Sequence, residues 1–242
     1  MTALVATGLT KRFGGVNAVN GFDISVESGE IVGLIGPNGA GKTTCFNLLT
    51  GRILPDSGEV NLEGEQITRM RPWTRAARGL SRTFQHTALF PDLTFDDNLA
   101  VAYAAARRDR SSRRARTDEL LRLLHLDDVD RRTEVRNLAY GLQRRVSIAL
   151  ALAGAPKFLL LDEPAAGLNP DEGRKLSDAV RRIAETGVGV ILVEHDLELV
   201  GRTTDRVVVL AAGATIFAGS YDDAVRDATV VETYLGKRYR DA

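Results

Sequence analysis

Apolar residues fall into three patterns along this chain, and each pattern predicts a different element. Unbroken runs come at Ile31-Val32-Gly33-Leu34-Ile35, Phe158-Leu159-Leu160-Leu161 and Val188-Gly189-Val190-Ile191-Leu192-Val193. Such runs suit strands buried on both faces of a parallel sheet. Val5 to Thr10 and Gly21 to Val26 alternate instead, as half-buried antiparallel strands do. Glu59-Val60-Asn61-Leu62 behaves similarly and follows the turn signal Pro55-Asp56-Ser57-Gly58. Helical spacing marks Thr43 to Leu49 and, with a charged outer face, Asp171 to Glu185. From about 87 to 153 the chain lacks buried-strand runs and is rich in Ala, Leu and Arg, which predicts helices. After about 205 it returns to short strands at Val207–Leu210 and Thr215–Phe217, then a closing helix near Asp223–Leu235. The fold class expected is α/β, with a mainly parallel sheet and an N-terminal antiparallel β part. One domain over 1–242 is expected, in which 1–86 and 154–242 form the core and 87–153 is an inserted helical subdomain.

Composition narrows the setting. The 242 residues are 44% hydrophobic and 26% charged, ordinary values for a water-exposed globular chain. Lysine plus arginine equal aspartate plus glutamate at 32 each, so net charge gives no argument for a nucleic-acid partner. The single cysteine, Cys45, excludes an internal disulfide framework and fits a reducing compartment. The first six residues lack the features of a secretion signal, and the longest apolar stretch, Ser147 to Leu161, is broken by Pro156 and Lys157. A cytoplasmic location is expected, with any membrane contact made through a partner. Residues 107–116 hold six arginines against one aspartate, and a solvated face is the first reading of them. Anionic lipid headgroups and nucleic acid are the alternatives.

Chemistry enters at Gly36-Pro37-Asn38-Gly39-Ala40-Gly41-Lys42-Thr43-Thr44, which fits G-x-x-x-x-G-K-S/T. Glycines let the backbone approach a triphosphate, and successive N–H groups form an anion nest. Lys42 reaches the β and γ phosphates, and the Thr43 hydroxyl ligates Mg²⁺. A buried strand runs into the loop and a helix leaves it, as phosphate binding at a helix N-terminus requires. The run Leu159–Leu161 ends in Asp162-Glu163-Pro164. Where the chain turns at the strand end both acids can face a nucleotide, Asp162 holding Mg²⁺ through water and Glu163 polarising the attacking water.

With these motifs in order, the chain resembles the ATP-binding-cassette (ABC) family of transport ATPases over almost its whole length. Leu138-Ala139-Tyr140-Gly141-Leu142 stands where that family carries its signature, Leu-Ser-Gly-Gly-Gln, and Thr83-Phe84-Gln85 resembles its Q-loop. Ala166-Gly167-Leu168-Asn169-Pro170 is similar to the D-loop and Val193-Glu194-His195-Asp196 to the switch-histidine segment. The resemblance implies that Gln85 reaches Mg²⁺ and senses a transmembrane partner, that His195 holds the γ-phosphate, and that Phe13 stacks on adenine with Val19 as its apolar companion. It further implies that Leu138, Ala139, Tyr140 and Gly141 serve the ATP of a second cassette, since each ATP is sandwiched between two. Ala139 replaces the signature serine, Leu142 the glutamine and Asn169 the D-loop aspartate. Leu-Ala-Tyr-Gly and Gly-Leu-Asn-Pro resemble the ATPases of branched-chain amino-acid importers, although Leu142 departs even from them. The partners implied are permease subunits, a second and non-identical cassette, and indirectly a substrate-binding protein, with no nucleic acid. Urea or lipopolysaccharide transport, or a soluble ATPase of DNA repair or ribosome function, are the alternative readings.

Overall fold

In the computed structural model, which describes residues 3–83, 89–107 and 109–235, the chain opens with a long hairpin. Strand β1 (Ala3–Phe13) pairs antiparallel with β2 (Val16–Glu27), from Ala3↔Glu27 to Phe13↔Val16. Strand β3 (Ile31–Ile35) then leaves for a second sheet, and helix α1 (Lys42–Leu49) comes after it. Strands β4 (Ser57–Leu62) and β5 (Glu65–Gln66) complete a four-stranded sheet in the order β2-β1-β4-β5.

Helix α2 (Pro72–Ala77) leads into β6 (Leu80–Arg82), the edge of the second sheet. Helices α3 (Phe95–Ala105), α4 (Arg110–Leu123) and α5 (Tyr140–Leu152) come next. The pattern then alternates through β7 (Phe158–Asp162), α6 (Pro170–Glu185), β8 (Gly189–Val193), α7 (Leu197–Thr203), β9 (Arg206–Ala211) and β10 (Ala214–Gly219). This sheet runs β10-β9-β3-β8-β7-β6, parallel from β9 to β6, with β10 antiparallel at the far edge.

The unbroken runs are buried on both faces because each face meets a different layer. Side chains alternate along a strand. Leu159 and Leu161 therefore join the helices, packing with Leu99, Leu120, Val146 and Leu176. Leu160 points the other way, toward α1 and the antiparallel sheet, with Phe46, Leu48 and Val60. The helices of 95–152 thus share one core with a face of the sheet.

One expectation needs correction. The closing helix is broken into α8 (Tyr221–Ala224), α9 (Ala228–Val230) and a π turn at Val231–Leu235. Asp227 causes the break, since its side chain accepts the Val230 N–H at 3.0 Å and starts a new helix. Helix α2 and strand β6 were not foreseen. Six and three residues are too short for a periodic signal.

Helix α2 supplies a buried cation that ties the layers together. Arg75 is fully buried. It donates to the carbonyls of Leu48 (2.8 Å) and Leu49 (2.5 Å) at the end of α1, and to those of Thr68 (2.6 Å) and Met70 (3.1 Å). A cation there complements the negative end of the phosphate-loop helix. Burial pulls the guanidinium pKa down to about 10, still well above neutral, so the charge persists. Arg75→Met should destabilise the fold by about 3 kcal/mol, because buried carbonyls lose charged donors. Urea unfolding measures this, and Arg75→Lys should recover little since one ammonium cannot span the four carbonyls.

Candidate active site

Strands β3, β7 and β8 end at one edge of the parallel sheet, and their final residues feed the site. Asp162 lies opposite Val193 in register, one residue before Glu194 and two before His195. The loop after β3 turns at Gly36, whose φ of 150° and crowding exclude a side chain. A β-carbon there would lie 2.1 Å from the Leu210 carbonyl. Gly41 is held as closely, with the Ala18 carbonyl 2.4 Å from where its β-carbon would be. Asn38 and Gly39 stand exposed, while Ala40 is buried and donates its N–H to the Pro37 carbonyl at 3.1 Å. Helix α1 begins directly after, with Thr43 exposed and Thr44 half-buried in its first turn.

Lys42 is buried at 6% exposure, and its Nζ donates to the carbonyls of Gly36 (2.6 Å) and Pro37 (3.0 Å). Burial lowers its pKa, while the nearby carboxylates of Glu163 and Asp162 oppose that shift. The loop, its lysine and the two acids therefore occupy one electrostatic neighbourhood. A cation on a curled, glycine-lined backbone fits the phosphates of a nucleotide.

Asp162 is the last strand residue. Glu163 takes a φ of +48°, so the chain turns there, and both carboxylates act on the Lys42 ammonium. Glu163 Oε1 lies 2.6 Å from His195 Nε2. Sequence reasoning placed these residues at one nucleotide but did not foresee their direct contact.

It also missed Arg82, on the short strand β6. Its Nη2 donates to Asp162 Oδ2 at 2.7 Å and its Nη1 to Asn47 Oδ1 at 2.7 Å, over the Phe46 ring at 5.4 Å. Both charged side chains are under 10% exposed, at 9% and 7%. No periodic signal marks a residue on a three-residue edge strand. Glu194, 3% exposed, was noticed only as part of a motif. It accepts N–H groups from Ala165 and His195.

Phe13 is half exposed at the end of β1, opposite Val16, which is 68% exposed. Val19 is a correction. It is fully buried in the core between sheet and helix, so no area remains for a base. Strand alternation explains the shift. The neighbouring Ala18 is half-buried on the other side, with its carbonyl against Gly41. Val16 is the exposed apolar partner of Phe13. Gln85 lies outside the described residues.

The signature has its own supports. Ala139 stands at the N-cap of α5 without a side-chain cap, and the N–H groups of Tyr140 and Gly141 open the helix. Gln143 Nε2 donates to the Leu138 carbonyl at 2.9 Å, and the Arg144 guanidinium lies 5.1 Å from the Tyr140 ring centre. A β-carbon on Gly141 would lie 2.5 Å from Glu172 Oε1, so any side chain there would displace that carboxylate. Leu142 packs half-buried against the helical core, alongside Leu138. Its side chain is thus engaged within its own chain. Asn169 forms a capping box, accepting the Glu172 N–H at 3.0 Å while Glu172 accepts its N–H at 3.1 Å.

The fold and the site together define a P-loop nucleotide hydrolase. Comparison with known proteins specifies the family: the sequence pattern described as "ABC transporter" matches residues 19–166, and the chain belongs to that family. It is 39% identical to the high-affinity branched-chain amino acid transport ATP-binding protein BraF of Pseudomonas aeruginosa, over 97% of this chain and 98% of that protein. It is 37% identical to the corresponding LivG protein of Escherichia coli, over 97% and 98% of the two chains. An ATP-binding cassette of an ABC transporter, solved in its ADP conformation, superposes with a TM-score of 0.88 at 28% identity, covering 98% of this chain and 100% of that one. The protein is thus an ATP-binding cassette that hydrolyses ATP.

The Arg82–Asp162 pair generates a stability prediction. Arg82→Met keeps an apolar stem against Phe46 and strands a buried carboxylate, which should cost about 3 kcal/mol. Replacing both partners, with Asp162→Leu as the second change, should recover most of the loss in a urea-unfolding double-mutant cycle.

Proposed function

We propose that this cassette powers uptake of branched-chain amino acids, as one of two non-identical ATPase subunits beneath a membrane permease. The observation that carries the catalytic part is the 2.6 Å contact between Glu163 and His195, beside Lys42 and its loop. Similarity to BraF and LivG over nearly the whole chain supports the cargo and does not favour the urea, lipopolysaccharide or soluble-factor readings.

Lys42 and the amides of Asn38 to Thr44 hold the phosphates, with Lys42 exchanging its two loop carbonyls for phosphate oxygens. Phe13 stacks on the adenine, with Val16 beside it. The exposed Thr43 hydroxyl and the Asp162 carboxylate are hard oxygen donors, which suit Mg²⁺, and Gln85 completes that set. Held there, Mg²⁺ would neutralise phosphate charge. Glu163 polarises the attacking water, and His195 orients it and holds the γ-phosphate. Arg82 keeps Asp162 in place.

Leu138 to Gly141 of the opposing cassette donate backbone N–H groups to the γ-phosphate, so Ala139 needs no hydroxyl. These donors complete the phosphate shell only when two cassettes close. Hydrolysis then removes the preference for the closed state, and opening drives the permease. Among the described residues no helix is long and apolar enough to cross a membrane. In this reading the cassette sits on the inner face of the membrane through its permease, meets the substrate-binding protein only indirectly, and takes no nucleic acid. A groove of about 700 Å³ between α2, α3 and the end of α5, lined by the exposed Trp73 and by Ala102, Ala105 and Leu150, is the apolar surface we assign to the permease.

Two experiments test this reading. Glu163→Gln should bind ATP normally yet lose about 100-fold or more of turnover. In native mass measurements with ATP–Mg²⁺ it should stay monomeric alone and pair only with a second, different cassette. A homodimer formed on ATP addition would refute the hetero-pair. Ala105→Glu should leave ATP binding by the isolated cassette unchanged while abolishing co-purification with the permease. Normal co-purification would remove the groove from the interface.

A further inference from the structure

Glu163 stands in a backbone conformation its own chemistry disfavours. Its φ of +48° lies in the left-handed region, where a β-carbon crowds the following carbonyl. Strain of this kind persists only where surrounding contacts over-determine it. Three consecutive residues at the end of β8 provide those contacts. The Glu163 N–H donates to the Val193 carbonyl at 2.9 Å, and the Ala165 N–H donates to Glu194 Oε1 at 2.6 Å. The third is the His195 ring, whose Nε2 touches Glu163 Oε1.

Of the three, only the middle one is made by a titratable side chain that the proposed chemistry does not use. Glu194 is almost completely buried, and its second oxygen accepts the His195 N–H at 3.2 Å. One carboxylate therefore grips two backbone amides. One lies two residues past Glu163, and the other belongs to the residue that carries the imidazole.

We propose that Glu194 is a positioning residue that locks Glu163 and His195 into one unit, so that the Glu163 carboxylate stays aimed at the water while His195 reports on the γ-phosphate. This rests on the roles proposed for Glu163 and His195. A carboxylate suits the task because N–H bonds to an ionised acceptor are short and about twice as strong as neutral ones. Burial raises the Glu194 carboxyl pKa, and the Ala165 and His195 amides oppose that shift. Leucine would leave the Ala165 and His195 N–H groups without their acceptor. A purely structural role therefore predicts lower thermal stability with kcat unchanged in the folded protein, whereas positioning predicts a loss of kcat.

The test uses the full-length cassette assembled with its transporter partners, with ATP affinity, KM, kcat and thermal unfolding measured together. In Glu194→Leu and Glu194→Ala, kcat should fall about 30-fold or more, as misplacement by about 1 Å does, with ATP affinity and KM within about twofold of the parent. Glu194→Gln retains an acceptor for the Ala165 N–H but not a second for the His195 N–H, and should leave kcat about three- to fivefold below the parent. Should the leucine and alanine variants fail to fold, Glu194→Gln decides: that reduction at unchanged affinity supports the lock, and a kcat equal to the parent's overturns it. Parent-like kcat in Glu194→Leu, with Glu163→Gln inactive, would overturn the lock alone. Turnover in Glu163→Gln itself would overturn the reading of Glu163 and the lock with it.

Discussion

Everything in the site depends on the parallel pairing of β3, β8 and β7. Gly33 lies opposite Leu192, and Leu192 opposite Leu161, so the three strands reach one edge of the sheet together. Chain direction then delivers three segments to that edge: the phosphate loop after β3, the acid pair after β7 and the histidine segment after β8. In open α/β sheets the carboxyl edge is where ligands bind, because loops from neighbouring strands converge there. A slip of one residue would turn Leu159 and Leu161 from the helices toward the antiparallel sheet and draw Asp162 away from Val193. The same alternation that builds the core therefore sets the geometry of the candidate site.

Opposite charges are gathered at that edge. Two cations, Lys42 and Arg82, face three acids, Asp162, Glu163 and Glu194, and most of these groups are buried. Each buried charge has a defined set of partners. Lys42 stands on two loop carbonyls, Arg82 on Asp162 and Asn47, and Glu194 on two amides. In a low-dielectric setting such partners keep a charged side chain in one place. Arg75 extends the logic to the far end of α1, where it donates to the carbonyl ends of the helix whose N-terminus carries the loop.

The departures from the family pattern become intelligible in three dimensions. Asn169 performs the capping that a D-loop aspartate would also perform, through its side-chain oxygen and Glu172. Leu142 contributes apolar area to the core beneath the signature. Ala139 leaves the start of α5 to its backbone N–H groups, which Gln143 steadies by fastening the Leu138 carbonyl. Signature and D-loop also pack together within the chain, since Gly141 lies against Glu172 and Gly167 beside the Tyr140 ring.

Much of this was legible in the residue order. Unbroken apolar runs marked the central strands, alternation marked the hairpin, and the loop from Gly36 to Thr44, with Asp162, Glu163 and His195, marked the chemistry. These signals are local, because hydrophobic period and turn chemistry act over a few residues. Val19 failed for the same reason. Proximity to Phe13 in sequence says nothing of which face a side chain takes, and strand alternation turned it into the core. Arg82 and Glu194 were invisible as partners because their contacts join residues 80 and 29 positions apart. By itself the sequence marked the long strands and helices, the family the chain resembles and the residues proposed to meet the nucleotide. Only the tertiary structure decided which charges pair, which way Glu163 turns and what holds it there, because those depend on strands that meet through sheet register and not through chain proximity.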